Sequence, residues 1–281
     1  MPKASVASSV SSGRPPKRHR VVLNQYITLC FDDGVELAVT PSVIQTTSVE
    51  WGGLGDANII SDDAVMHRFD VVVNRDMVEG RTDVTWQSMR DAYPVKASDS
   101  RDEDFRDNAD EIWLAHLSIA EVPSHIVEQT SSWADTCDML GDTLRWGMDI
   151  VESIADNVGR PYGEALVEGA LLWPQRLGVH PRARGQDIGI KLLAHALWAL
   201  HRSRSDVAIL EAAATTTFFD QVEKIEQTPE SFRALCRYYG RLGFRRWFVK
   251  QRAESNGGSI MVLRLGEYGI RAFYESGERL L

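Results

Sequence analysis

The sequence predicts an α/β (α+β) fold, on three observations. From about residue 165 onward, apolar strand-like runs alternate with helical runs in the order strand, helix, strand, helix, strand, strand. One of these runs, DVAILEAAA, is short and almost wholly apolar, as a strand buried on both faces is. Before about residue 95, β-rich runs separated by turn residues predominate.

The elements follow in chain order. The start, MPKASVASSVSSGRPPKRHR, is rich in Ser, Ala and Pro and carries Lys3, Arg14, Lys17, Arg18 and Arg20 with no acid. Residues 1–20 therefore read as a disordered basic tail, whose KRHR end is the one feature suited to nucleic acid or an acidic partner. In QYITLCFDDGVELAV, two β-rich runs flank Asp33-Gly34, a favoured hairpin turn pair. RFDVVVN reads as a strand and TDVTWQ as another, so residues 21–98 form a strand-rich N-terminal region. Charge dominates residues 99–111, an acidic linker or exposed turn. WLAHLSIAEV is the next strand. A helical insert spans residues 124–160, where Trp133, Cys137, Leu140, Leu144, Met148 and Val151 recur at spacings of three and four. Gly159, Pro161 and Gly163 end it.

The remaining elements complete a domain spanning residues 112–281. ALLWPQRLGV is a strand, and GQDIGIKLLAHALWALHR is a helix with Ile190, Leu193, Leu197 and Leu200 on one stripe. After DVAILEAAA, a second helix, SFRALCRYYGRLG, stops at Gly243. FRRWFVK and SIMVLRL are two more strands, turned by Asn256-Gly257-Gly258.

Composition narrows the function classes. Hydrophobic residues make up 43% and charged residues 25% of 281, ordinary for a globular chain able to bury a core. The three cysteines, Cys30, Cys137 and Cys236, are odd in number and widely spaced, which fits neither a disulfide framework nor a zinc pair and points to a reducing cytoplasm. No apolar run reaches membrane-spanning length, and the first residues lack the apolar middle of a secretory signal. The net charge is −9, and setting aside the five basic residues of the tail leaves 26 Lys/Arg against 40 acids, a net −14. A body this acidic excludes a general polyanion binder and suits a cationic or amine partner better. His195 and His201 lie six apart on one helix, the wrong spacing for a shared metal, so no metal is expected.

The chemistry concentrates in LGVHPRARGQDIGIKLL, residues 177–193. A strand ends at Val179, Pro181 stops it, and the chain bends through Arg184, Gly185, Gln186, Asp187, Ile188 and Gly189 into a helix. Such a bend aims unpaired N–H groups and the positive end of a helix dipole at one place, an anion site suited to phosphate or diphosphate. Arg182 and Arg184 add cations at its rim. The P-loop pattern is absent, and the turn does not supply the Rossmann glycines.

The segment resembles the coenzyme A loop of the GNAT N-acetyltransferase superfamily, Arg/Gln-x-x-Gly-x-Gly/Ala, with Arg184 first and Gly189 last. Asp187 stands where that family usually has its middle glycine, and a carboxylate beside a diphosphate is repulsive unless it points outward. CRYYGRLGFRRW resembles the family's Tyr-x-x-x-Gly-Phe signature through Tyr239, Gly243 and Phe244. The resemblance covers roughly residues 168–250.

That resemblance implies a mixed, strongly twisted central sheet flanked by helices, here with the N-terminal region and helical insert added. Two middle parallel strands would splay apart to admit the pantetheine arm of acetyl-CoA, the co-substrate. By similarity, the backbone of Arg176, Leu177 and Val179 holds the arm, and the N–H groups of residues 184–189 hold the diphosphate. An amine of a small molecule or protein acceptor then attacks the thioester directly. Tyr239 is the candidate acid: Phe232, Leu235, Tyr239 and Leu242 share one helix face, which turns Tyr239 to the sheet and leaves Tyr238 off the stripe. Glu211, Glu168 and His180 are candidate bases. A catalytically inactive protein-binding module of the same fold is the alternative. A homodimer is compatible with the sequence, nucleic acid only through the tail.

Overall fold

β-Branched and aliphatic runs become the strands of a large sheet. The computed structural model describes residues 17–22, 26–32, 34–48, 65–78, 84–94, 110–123, 169–204, 206–212, 228–246 and 259–266. Its strands are β1 (Lys17–Val22), β2 (Ile27–Cys30), β3 (Glu36–Val39), β4 (Ser42–Ser48), β5 (Val65–Asn74), β6 (Glu111–Val122), β7 (Leu171–Val179), β8 (Val207–Ala212), β9 (Arg245–Arg246) and β10 (Ser259–Arg264). Helices α1 (Trp86–Ala92), α2 (Ile188–Leu200) and α3 (Pro229–Gly240) accompany them.

Eight strands form one sheet in the order β1-β4-β5-β6-β7-β8-β10-β9. β7 and β8 run parallel, and every other described pair in the sheet is antiparallel. The fold is thus a mixed α/β fold. β2 and β3 make a separate hairpin, with Gly34 at φ 80° in its turn.

Several elements depart from the sequence reading. Lys17–Val22 is a strand paired with β4, so the KRHR segment belongs to the sheet rather than to a tail. The described part of TDVTWQ, residues 84–87, is not a strand: Thr85 caps α1 by accepting the Ser88 N–H at 3.1 Å, and Trp86 begins the helix. β1, β4 and β5 continue the sheet of the C-terminal half, and β5 pairs directly with β6 across the acidic stretch. The helical insert at 124–160 and residues 1–16 lie outside the described residues.

α2 lies against β5, β6 and β7. Ile190, Leu193 and Leu197 are completely buried and Leu200 nearly so. Burial of each such side chain contributes about 1.5–3 kcal/mol. α3 starts at a capping box in which Thr228 and Ser231 each accept the other's N–H, with Pro229 at the first helical position. It ends before Gly243, whose φ of 94° requires glycine.

The feature that positions the site is the parting of β7 and β8. They pair only at Leu171 with Val207 and Leu172 with Ala208. Pro174, which has no N–H to give, follows at once, and the β6–β7 register then slips so that Gln175 stands as an extra residue between Pro174 and Arg176. A proline and a bulge both interrupt a ladder and turn the strand.

Candidate functional site

The turn after β7 is built to leave donors open. His180 closes the strand by giving its N–H to the Leu114 carbonyl at 2.8 Å, and its Nδ1 accepts the Arg182 N–H at 3.3 Å. A 3-10 turn, Pro181–Ala183, leads to Gly185 at φ 84° and Asp187 at φ 60°. Aspartate is one of the few side chains that tolerate this left-handed conformation, which explains how it can occupy a glycine position. α2 then begins. The N–H groups of Gly185, Gln186, Asp187, Ile188 and Gly189 meet no protein acceptor among the described residues. The Tyr238 hydroxyl lies against this helix start, by Gly189 and Ile190.

Side chains that could fill this cradle are held elsewhere. An aspartate at the start of a helix ordinarily caps it, yet Asp187 caps nothing. Its carboxylate instead accepts two hydrogen bonds from the Arg241 guanidinium, of 2.8 and 2.7 Å. Hydrogen bonding to Arg241 holds its pKa below the ordinary carboxylate value. The Gln186 amide pairs with the backbone of Thr28 in β2, accepting its N–H at 2.8 Å and donating to its carbonyl at 2.7 Å. Arg182 donates to Asp32 in the same hairpin at 2.7 Å. Arg184 donates from Nε to the Val179 carbonyl at 3.2 Å.

Gly189 is needed for close packing. A Cβ there would stand 3.0 Å from both the Tyr238 hydroxyl and Val179 Cγ2. The helix start, the end of β7 and α3 thus converge on one point. Tyr238, expected off the buried stripe, is partly buried against the core and lies against the start of α2 at Gly189, a correction to the sequence reading.

Backbone direction divides the residues expected to hold a pantetheine arm. The His180 N–H bonds Leu114, so by antiparallel alternation Gly178 and Arg176 also turn their backbone groups to β6, while Val179 and Leu177 turn theirs toward β8. Arg176 therefore turns its main chain to β6. Leu177 offers both backbone groups to the gap. Val179 offers its N–H, its carbonyl being taken by Arg184.

The gap is a small cleft, partly open to solvent. Gln175 and Leu177 line it from β7, Leu210 and Glu211 from β8, Leu193 from α2 and Tyr239 from α3. Burial pushes the Tyr239 phenol up to about 12, and the ring packs edge-on to Phe244 at 6.3 Å. Glu211 reaches solvent, yet the protein around it strips enough water to raise its pKa. His180, the other described candidate base, is buried and held neutral at about 4, first by burial and then by Arg182 and Arg184. Glu168 lies outside the described residues.

The structure brings Tyr239 and Glu211 to one cleft, lined on one side by β7, the strand that leads into the turn of residues 185–189. It adds Gln175, Tyr238 and Arg241, which the sequence reading did not single out. Among the described residues there is no cluster of three or more His, Cys, Asp or Glu able to hold a metal, and no helix long and apolar enough to cross a membrane.

No protein-family model matches this chain, and no curated protein sequence matches it. Among solved structures, it is similar to a Drosophila melanogaster polyamine N-acetyltransferase that catalyses formation of N-acetylagmatine, at 17% identity over 54% of this chain and 70% of that one, with a TM-score of 0.29. It is likewise similar to the apo form of a mutant agmatine N-acetyltransferase, at 18% identity over 54% of this chain and 71% of that one, with a TM-score of 0.29. At that score neither likeness carries weight, and the chemistry rests on the site's own geometry.

Proposed function

We propose that this protein is an N-acyltransferase of the GNAT type that moves an acyl group, acetyl foremost, from coenzyme A to a primary amine. The observation that carries the reading is the parting of β7 from β8 after two residue pairs, beside a cleft lined by β7, the strand that leads into a helix start with unpaired N–H groups. The residues fit the co-substrate: open donors and a helix dipole suit its diphosphate, and the backbone of Leu177 and the N–H of Val179 suit the amides of its arm. The one repulsive group, Asp187, is neutralised by Arg241.

Each residue then has a task. Glu211, with its raised pKa, takes the proton of the attacking amine as the nitrogen–carbon bond forms. Tyr239 donates a hydrogen bond to the sulfur as the carbon–sulfur bond breaks. A phenol held near 12 lies above a thiol at about 8.5, so Tyr239 steadies the departing thiolate and keeps its own proton. The thiolate is protonated by water after release. The acidic body suits a cationic amine, small or on a protein.

The test is thiol release from acetyl-CoA with a panel of primary amines. Turnover with at least one amine, lost in Tyr239→Phe, supports the reading. Absence of turnover with every amine, polyamines and lysine peptides included, contradicts it.

A further inference from the structure

Two opposite charges stand on one face of the sheet without meeting each other. Leu177 and Val179 of β7 pack against the core beneath α2. Strand side chains alternate in facing, so Arg176 stands on the other face of β7. Leu210 and Ala212 of β8 belong to the same core, so Glu211 also stands on the other face. Both residues are exposed. Among the described residues neither makes a hydrogen bond or an ion pair. Their strand neighbours supply no counter-charge: Ser118 lies opposite Arg176 on β6, and Ile260 lies opposite Glu211 on β10. Partial desolvation raises the Glu211 pKa with no cation to offset it.

The two residues flank the place where β7 and β8 part. The ladder holds at Leu171 with Val207 and at Leu172 with Ala208. Counting on along both strands, past the one extra residue of β7, brings Arg176 level with Glu211. Paired strands lie about 4.8 Å apart, and by this level the pairing has ended, so the guanidinium and the carboxylate flank an opening instead of closing on each other. On the opposite face, Leu193 of α2 and Tyr239 of α3 wall the cleft. The face of Arg176 and Glu211 is thus the approach left to a second substrate. Arg176 presents a planar fork of donors that matches a carboxylate, and Glu211 accepts from an ammonium. A pair of unmet, opposite charges at fixed strand positions recognises a molecule that carries both complements. The acidic body draws amines over distance, but screening leaves the choice among them to the charges within reach.

We infer that the acyl acceptor is an amino acid or a similar zwitterion, its ammonium meeting Glu211 and its carboxylate meeting Arg176. The inference rests on the acyltransferase reading above. The ammonium gives one proton to solvent and becomes the nucleophile. Glu211 takes the next proton as the nitrogen–carbon bond forms, and the carbon–sulfur bond breaks with the thiolate as leaving group. Arg176 holds the part of the acceptor that does not react and so sets specificity. Once acylated, the nitrogen is a neutral amide that Glu211 no longer attracts, which loosens the product.

The experiment measures kcat/KM at saturating acetyl-CoA for matched acceptors. These are alanine, phenylalanine and the unbranched ω-amino acids from glycine to 6-aminohexanoate, each beside the amine that lacks the carboxylate. For the ω-series, the diamine of equal length is added. Wild type, Arg176→Gln, Arg176→Lys and Arg176→Glu are compared. The expected result is at least one amino acid used about tenfold or more better than its matching amine. That preference falls about tenfold in Arg176→Gln, through KM for the acceptor. It returns in part in Arg176→Lys, which keeps the charge without the fork, and shifts toward the diamine in Arg176→Glu. A wild type that favours the plain amine or the diamine throughout overturns the inference and leaves the acyltransferase reading intact. An amino-acid preference that Arg176→Gln leaves unchanged does the same. A wild type that turns over no acceptor removes both.

Discussion

Arg241, just past α3, grips Asp187, just before α2, through two hydrogen bonds of 2.8 and 2.7 Å. The pair spans 54 residues of sequence and joins the anion cradle to the helix that carries Tyr239. Asp187 occupies the left-handed conformation that glycine would adopt, and Arg241 offsets the charge that glycine would not bring.

The pair makes a prediction. Arg241→Ala leaves a bare carboxylate beside the diphosphate and weakens coenzyme A binding about five- to tenfold, a modest effect because both groups are partly exposed and screened. Asp187→Gly in the same background restores most of the affinity. Titration calorimetry on both variants is the check; equal affinities throughout would mean that the carboxylate does not face the ligand.

The β2–β3 hairpin sets the shape of the loop through Gln186 and Thr28. Gln186→Ala strands both backbone groups of Thr28 and lowers unfolding free energy by about 1–3 kcal/mol. Urea denaturation measures that loss, and a several-fold rise in KM for acetyl-CoA at unchanged kcat accompanies it.

On the proposed mechanism, catalysis depends on pH through Glu211. Its pKa is raised, so the rate falls as pH drops through that raised value and the carboxylate protonates. Glu211→Gln lowers kcat about a hundredfold and removes this acid limb. Tyr239, near 12, adds no alkaline limb below about pH 10. A pH–rate profile of kcat for wild type and variant decides the matter.

Stability also depends on pH, through His180. Its folded pKa of about 4 lies below the unfolded value near 6.5. The unfolded chain therefore takes up the proton first: the stabilisation is whole above pH 6.5 and is lost as pH falls toward 4. The loss amounts to at most roughly 3 kcal/mol. In His180→Gln, the slope of unfolding free energy between pH 6.5 and 4 flattens.

Local signals were legible in the sequence and distant pairings were not. The turn at Asp33-Gly34, the stripe of Ile190, Leu193, Leu197 and Leu200, and the strand–loop–helix carrying Gly185 and Gly189 each depend on neighbours a few residues away. TDVTWQ misled because its β-branched residues suit a strand, while the decisive contact is the Thr85 cap on Ser88. The KRHR segment looked like a tail because its composition says nothing of β4, its pairing partner. Arg241 with Asp187 and Gln186 with Thr28 are long-range contacts that no periodicity reveals. Gln175 stayed hidden because a bulge is a register relation between two strands.

Binding of acetyl-CoA to the wild-type protein tests the central claim most directly. Titration calorimetry should give one site per chain with a micromolar dissociation constant, weakened in Gly189→Val, whose side chain crowds Val179 and Tyr238. No binding at millimolar acetyl-CoA, or equal binding by Gly189→Val, would contradict the account.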